Sequence, residues 1–355
     1  MRALSSVLGF ILLFIGNVSF AAFPESLSFN GDLRYRHESR QVEGQRYRPW
    51  NSFRVRFNAL TKVNDTTEAK LQFTSGDGQP RGMNQKLSDG FSKKPFNISL
   101  AYIDWKPMAG GQVHAGKVPL PLYKPGNSDL IFDHDVTPEG VAVKYEMGST
   151  WKPFFSAFNF WLKEDSGGDD AHLVGGQVGV KSEMGSHKMS LELARYSYLG
   201  AKGSAAFYSG YENNNTVSGG LYSFDYDINE VGFDYALSTA WGPLSLCGQY
   251  VFNSAIDTDN TGYYVGVGLG STKNVGDFKF DLNYRHIEKD AAVGVFIDSD
   301  FAGGKTDSNG SKVRVAYKMA ENSFFALSHF VNKNSVSTSN PSKFDKTMFD
   351  FWVTY

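Results

Sequence analysis

From residue 26 to the end of the chain, apolar and polar side chains alternate with a period of two in one segment after another. That is the pattern of strands with one apolar and one polar face. In the first segment Leu27, Phe29, Leu33 and Tyr35 alternate with Ser28, Asn30, Asp32, Arg34 and Arg36. The second sets Phe53, Val55, Phe57 and Ala59 against Arg54, Arg56 and Asn58. Val141, Val143 and Tyr145, then Val231, Phe233, Tyr235 and Leu237, continue it, as do Phe278, Phe280, Leu282 and Tyr284, and Val313, Val315 and Tyr317. Two segments fit less cleanly. In 187–198 the phase of Met189, Leu191 and Leu193 places Arg195 on the apolar face, and 323–332 reads in either phase; a bulge in each would resolve the conflict.

About sixteen such segments can be counted, near 26–38, 51–63, 67–75, 97–106, 111–117, 140–147, 153–163, 172–182, 187–198, 229–241, 244–253, 262–271, 277–288, 310–318, 323–332 and 346–355. The connections alternate between tight turns, such as Val63 to Thr66 and Trp241-Gly242-Pro243, and long loops, including 76–96, 118–139, 199–228 and 289–309. An even strand number with short turns at one end and long loops at the other predicts an all-β fold, a transmembrane antiparallel β-barrel with periplasmic turns and extracellular loops. Eight loops and seven turns place both termini on the periplasmic side.

A soluble sandwich also alternates, but it buries an aliphatic face and cannot hold unpaired charge on the other. Here aromatics stand at many strand ends, among them Tyr35, Tyr145, Tyr235, Trp241 and Tyr284, while the opposite face carries charges and glycines. A water-filled lumen accommodates that face. Before the first strand, Arg2, an apolar run from Val7 to Ile15 and the small residues Ser19-Phe20-Ala21 read as a secretory signal, residues 1–21, preceding a barrel of residues 22–355. No later apolar stretch reaches the length of a membrane helix. The single cysteine, Cys247, excludes an internal disulfide, and a net charge of −2 gives no argument for nucleic acid. The composition calls for no cofactor.

The stretch Phe91-Ser92-Lys93-Lys94-Pro95-Phe96, running into Leu100-Ala101-Tyr102-Ile103-Asp104-Trp105 and Gly116-Lys117-Val118-Pro119, resembles the putative-porin family of proteobacterial outer membranes. So does Asp135-Val136-Thr137-Pro138-Glu139-Gly140-Val141-Ala142, while the terminal alternating strand ending Phe351-Trp352-Val353-Thr354-Tyr355 resembles the C-terminal assembly signal of outer-membrane proteins. The resemblance implies a sixteen-stranded barrel in the outer membrane of a Gram-negative bacterium, a homotrimer in contact with outer-membrane lipid and lipopolysaccharide. It also implies passive diffusion of small hydrophilic solutes, without catalytic residues. In general porins the third long loop folds into the lumen. Here that loop is 118–139, with Asp129, Asp133, Asp135 and Glu139, and it would face Arg34, Arg36, Arg54 and Arg56 on the polar face of the first two strands. Acids facing a basic wall would create a transverse field that sorts solutes by charge.

Other chemistry is weaker in the sequence. Asp133-His134-Asp135 with Glu139 offers oxygen ligands of the kind calcium takes, and Asp298-Ser299-Asp300 begins like a calcium loop but has Ala302 where a third oxygen belongs. Solvated loop charge explains both. Gly266, Gly268 and Gly270 imitate a nucleotide motif, but no helix follows them, and their spacing puts them on the lumen face, where missing side chains would widen the pore. A structural or adhesive barrel would need something to fill its lumen. An outer-membrane hydrolase would need a nucleophile and a positioned histidine, for which no motif is present.

Overall fold

The computed structural model describes residues 26–167 and 170–355. The signal expectation, residues 1–21, lies outside them. Among the described residues sixteen long strands form one antiparallel sheet, with the two-residue segment Gln85–Lys86 of the second loop added beside the second strand: β1 Leu27–Val42, β2 Arg48–Asn64, β3 Thr67–Ser75, β4 Phe96–Trp105, β5 Gly111–Lys117, β6 Glu139–Glu146, β7 Trp151–Lys163 and β8 Ala171–Met184. The rest are β9 His187–Leu199, β10 Tyr226–Thr239, β11 Gly242–Asn253, β12 Thr261–Gly270, β13 Phe278–Ile287, β14 Ser308–Ala320, β15 Ser323–Asn334 and β16 Ser342–Thr354. Each pairs with its sequence neighbours. The sheet closes because β1 pairs with β16 as well as β2, with Leu33 opposite Val353 and Arg36 opposite Asp350. The seam is completed at the turn end by reciprocal backbone hydrogen bonds between Gly31 and Tyr355, at 3.0 and 3.1 Å.

The connections follow the expected asymmetry. The turn end holds 65–66, 106–110, 147–150, 185–186, 240–241, 271–277 and 321–322. The other end holds loop 2 (76–95), loop 3 (118–138), loop 5 (200–225) and loop 7 (288–307), with shorter loops between them. The first loop, 43–47, is no longer than a turn, because β1 and β2 extend their ladder up to Arg40 opposite Arg48.

The outward face is apolar all round: Leu33, Tyr35, Ile103, Val143, Leu191, Leu193, Phe233, Val265, Leu282 and Leu327 are all exposed. Such a belt is costly in water and favourable in lipid. The inward face instead buries Asp32, Arg36, Arg54, Asp104, Glu192, Glu230 and Asp350. Strand parity alone separates the two sets.

Both ambiguous strands resolve without the expected bulge. β9 keeps a continuous register with β8 and β10, and Arg195 faces outward after all, 3.6 Å from Asp227. Its place four residues before Leu199, at the loop end, keeps the charge away from mid-membrane, where an outward arginine costs most. In β15 the register is broken only at its turn-end start, between Lys318 and Ala320 of β14. Leu327 and Val331 face outward, and Phe330 is buried inside.

Replacing Val143 by Arg, on the outward face of the short strand β6, should lower folding stability by about 2–4 kcal/mol. Urea titration of the barrel refolded into lipid vesicles measures it, and stability equal to the parent's would mean that the faces are reversed.

Candidate functional site

Loop 3 enters the lumen and lies against the inner wall of β7–β11. The wall supplies the partners for its backbone. Ser156 Oγ donates to the Pro121 carbonyl at 2.6 Å, and Gln177 Nε2 donates to the Tyr123 carbonyl at 2.8 Å while its Oε1 accepts from the Tyr123 N–H at 2.7 Å. The Gly126 N–H donates to Asp234 Oδ1 at 2.8 Å, and the Tyr123 hydroxyl to Asp234 Oδ2. Gly232 is required here, because a Cβ on it would stand 2.3 Å from the Pro125 ring. Beyond this anchor Leu130, Ile131 and Phe132 are buried, Phe132 edge-on to Tyr196 with centroids 5.3 Å apart.

The four predicted loop acids part company. Asp129 pairs with Lys124 and, at 2.9 Å, with His134 Nδ1; burial opposes its ionisation, but these two cations outweigh it and hold the carboxyl below its ordinary range. Asp133 accepts backbone N–H bonds from Asp135 and Ser299, both at 2.9 Å. Burial, then the charge of Asp129, pushes its carboxyl up to about 7. Asp135 is buried and acts electrostatically on Arg34 and Arg54. Glu139 does not belong to the lumen. It opens β6 on the parity of Val141 and Val143, faces outward with its side chain 65% exposed, and pairs with Lys117 at 2.9 Å.

All four predicted arginines point inward, as alternation requires, and every one has a partner. Arg36 donates through Nε and Nη2 to the two oxygens of Asp350, at 2.6 and 2.9 Å. Arg54 and Arg56 share Asp32, at 2.7 and 2.5 Å. Arg34 reaches Asn84 of loop 2 at 2.6 Å. Of the four, Arg56 is the most open to the lumen, at 31%.

The sequence reading missed loop 7, which also folds inward. Its Ala291, Ala292, Val293, Val295 and Ile297 are buried in one apolar cluster with loop 3, loop 5 and the inward residues Tyr196, Tyr198 and Tyr226. Loops 3 and 7 run side by side, the Asp133 N–H donating to the Phe296 carbonyl at 2.7 Å and the Asp298 N–H to that of Asp129 at 3.1 Å. Loop 2 sends in Arg81, whose Nη1 donates to the carbonyls of Gly294, Ile297 and Gly304 at 2.8, 3.1 and 2.9 Å. Two acids of loop 7 then meet the wall. Asp298 pairs with Arg285 at 3.0 Å, and Asp300 with Arg36 at 3.1 Å and Lys346 at 2.5 Å. Burial opposes ionisation of Asp300, but Lys346 and Arg36 keep its carboxyl well below the ordinary range. The signal was present as an apolar run, Ala291 to Ile297, too long for a solvated loop.

Of the calcium candidates Asp133, His134, Asp135 and Glu139, Glu139 is turned outward to Lys117 and Asp133 accepts two backbone N–H bonds; the atoms of Asp129, Asp133 and His134 lie within 4.8 Å of one another, but Lys124 answers Asp129. The glycines of β12 are on the lumen face but do not widen it. The space beside Gly266 is filled by Cys247 and Tyr264, and that beside Gly268 by Ser245 and Asp281.

The family model described as "Putative porin" matches residues 41–220 and 216–354. No curated protein has a significant sequence match to this chain. Among solved structures, the chain is similar to Pseudomonas putida OprB at high pH, with 12% identity, 93% of this chain and 94% of that one covered, and a TM-score of 0.61. It is similar to Salmonella typhi OmpF in complex with daunomycin at 10% identity, 93% and 97% coverage and a TM-score of 0.54. A Rhodopseudomonas blastica porin variant matches at 14% identity, 92% and 99% coverage and a TM-score of 0.51. At such identities the likeness is one of fold.

Asp300→Asn should leave Arg36 and Lys346 short of an acid and loosen loop 7 from the wall. Single-channel recording should show more frequent current transitions than in the parent, with selectivity moved toward anions; unchanged noise and selectivity would mean that Asp300 does not hold the loop.

Proposed function

We propose that this chain, which belongs to the putative-porin family and forms a porin-type channel in the outer membrane, filters small hydrophilic solutes at a constriction between loops 3 and 7 and the arginine wall. The observation that carries the reading is the approach of Asp135 and Asp300, from two loops, to arginines of the first two strands. A narrow passage between fixed charges of opposite sign orders water and sorts solutes by charge and dipole, and no chemical step is involved. The contributing residues are Arg34, Arg36, Arg54 and Arg56 on the wall and Asp129, Asp133, Asp135 and Asp300 on the loops. Glu139 drops out because it faces outward.

The same reading has the chain exported through a signal of residues 1–21, inserted with both ends in the periplasm and assembled as a homotrimer in lipid and lipopolysaccharide. The outward apolar belt supports the contact with lipid.

Charges in a narrow passage act over the roughly 8–10 Å Debye length of dilute to physiological salt. Neutralising Arg54 and Arg56 should therefore move the reversal potential in a salt gradient toward cation preference, and neutralising Asp133 and Asp135 should move it toward anions. At about 1 M salt, where the screening length is about 3 Å, both shifts should shrink. Parent reversal potentials in both folded, conducting double variants would place the selectivity elsewhere.

A pH dependence follows from Asp133, whose carboxyl titrates at about 7. Its folded value is raised, so its charge works against the packed loop above about pH 7 and is relieved as pH falls through that value. Between pH 8 and pH 6 the loop loses negative charge. Selectivity should drift toward anions over that interval in the parent and not in Asp133→Asn; an equal drift in both would assign the titration to another group.

A further inference from the structure

Beneath loop 3, on the turn side of the constriction, lies a cavity of about 650 Å³ between Pro121-Leu122-Tyr123 and the inner wall of β5–β8. Its lining includes Lys144 and Lys181, with Gln112, Phe154 and Ser156. Lys181 is accounted for: it pairs with Glu146 at 2.7 Å and lies over the Phe154 ring at 4.9 Å and the Tyr123 ring at 5.4 Å. Lys144 is not. Among the described residues it makes no hydrogen bond or ion pair, although it is half-buried and close enough to Lys181 to be repelled.

The acids within electrostatic reach of Lys144 are Glu146 and Asp104, and both are taken. Glu146 is held by Lys181, and Asp104 by Lys70 at 2.8 Å with His114 at 3.4 Å. On the strand to one side, directly opposite Lys144, stands Gln112, whose side-chain amide makes no hydrogen bond among the described residues. On the other side is Ser156, whose hydroxyl is spent on the Pro121 carbonyl. A cation and an amide donor without partners thus open side by side into a cavity that carries a net positive charge and has apolar walls at Pro121, Leu122 and Phe154. A half-buried ammonium lacking a counter-charge is stabilised by a charge-assisted hydrogen bond to an oxyanion.

We infer that this cavity is a binding station for small organic anions, in which Lys144 and Gln112 hold a carboxylate, Lys181 adds its charge, and the body of the solute rests on Leu122 and Phe154. The cavity volume lies within the range of small-molecule sites, far above what a bare inorganic anion fills. The station rests on the reading of the chain as an open channel, but its binding is measurable without current.

The test uses the full barrel, folded in detergent or in a planar bilayer, with benzoate as the probe, acetate as the head group without a body, and benzyl alcohol as the body without a charge. Benzoate added from the turn side should reduce the potassium chloride current in a saturable way and at lower concentration than acetate, with benzyl alcohol inert. Lys144→Gln should weaken benzoate by about tenfold or more, the loss expected for one charged hydrogen bond, and Lys144→Arg should restore most of it. Calorimetric titration of the same proteins should give the same order. Parent-like benzoate affinity in Lys144→Gln, or equal effects of benzoate and benzyl alcohol, overturns the station. A folded protein that carries no current but binds benzoate through Lys144 would overturn the channel reading and leave the station standing.

Discussion

In hydrocarbon no water is present to satisfy an unpaired peptide group, so a sheet that crosses a membrane must have no free edge. The rest of this structure depends on that condition. It brings β1 against β16, some three hundred residues apart in the chain, and fixes every strand between them in a register that cannot slip by one residue without turning its charges to the lipid. The seam also carries a two-pronged wall pair. Arg36 and Asp350 face each other across it and bond through two donor–acceptor pairs, so the contact that closes the sheet also sets charge in the lumen. Because buried pairs of this kind are costly to break by removing one partner, the seam's position in the barrel is well specified.

Closure creates a second problem, since sixteen strands enclose a space wider than their own side chains fill. The loops fill part of it, and they bring apolar residues with them. That explains a departure from the simple pattern of apolar-out and polar-in. The wall under loop 3 carries Phe158, Phe160, Tyr196, Tyr198 and Tyr226 on its inner face, because Leu130, Ile131 and Phe132 of loop 3 and Val293 and Val295 of loop 7 need an apolar surface to lie on. The opposite wall takes only a small loop core, Phe301 and Ala302 of loop 7 on Phe330 and Met348, and keeps its arginines beside it. The lumen is therefore divided by packing first, and its charge asymmetry is the residue of that division.

What could be read from the sequence follows the range of the interactions involved. Strand number, faces and the inward arginines were legible because each depends on parity within a single strand. The outward placing of Glu139 was legible by the same rule, since it shares the parity of Val141 and Val143; reading it as a loop acid set the rule aside one residue too early. The partners of the arginines were not legible. Asp300 meets Arg36 across 264 residues of sequence, and nothing local in either segment specifies the other. Loop 7 lay between these cases, for its apolar run was visible but its aspartates suggested solvent or a cation instead of the wall.

Burial separates the charges into two groups with different consequences. Asp350, Arg36, Arg54, Asp32 and Lys346 are almost wholly enclosed and held by one or more opposite charges. In such surroundings a pair holds geometry and contributes little net field at a distance, because each charge is answered within 3 Å or so. Groups that keep more access to water, such as Arg56 at 31%, Arg314 at 28% and His134 at 59% exposure, add most directly to the field a passing ion meets. A channel built this way can keep a fixed shape while its selectivity is tuned by a few side chains. Substitutions among the enclosed charges move the walls as well as the potential, and substitutions among the open ones move mainly the potential between them.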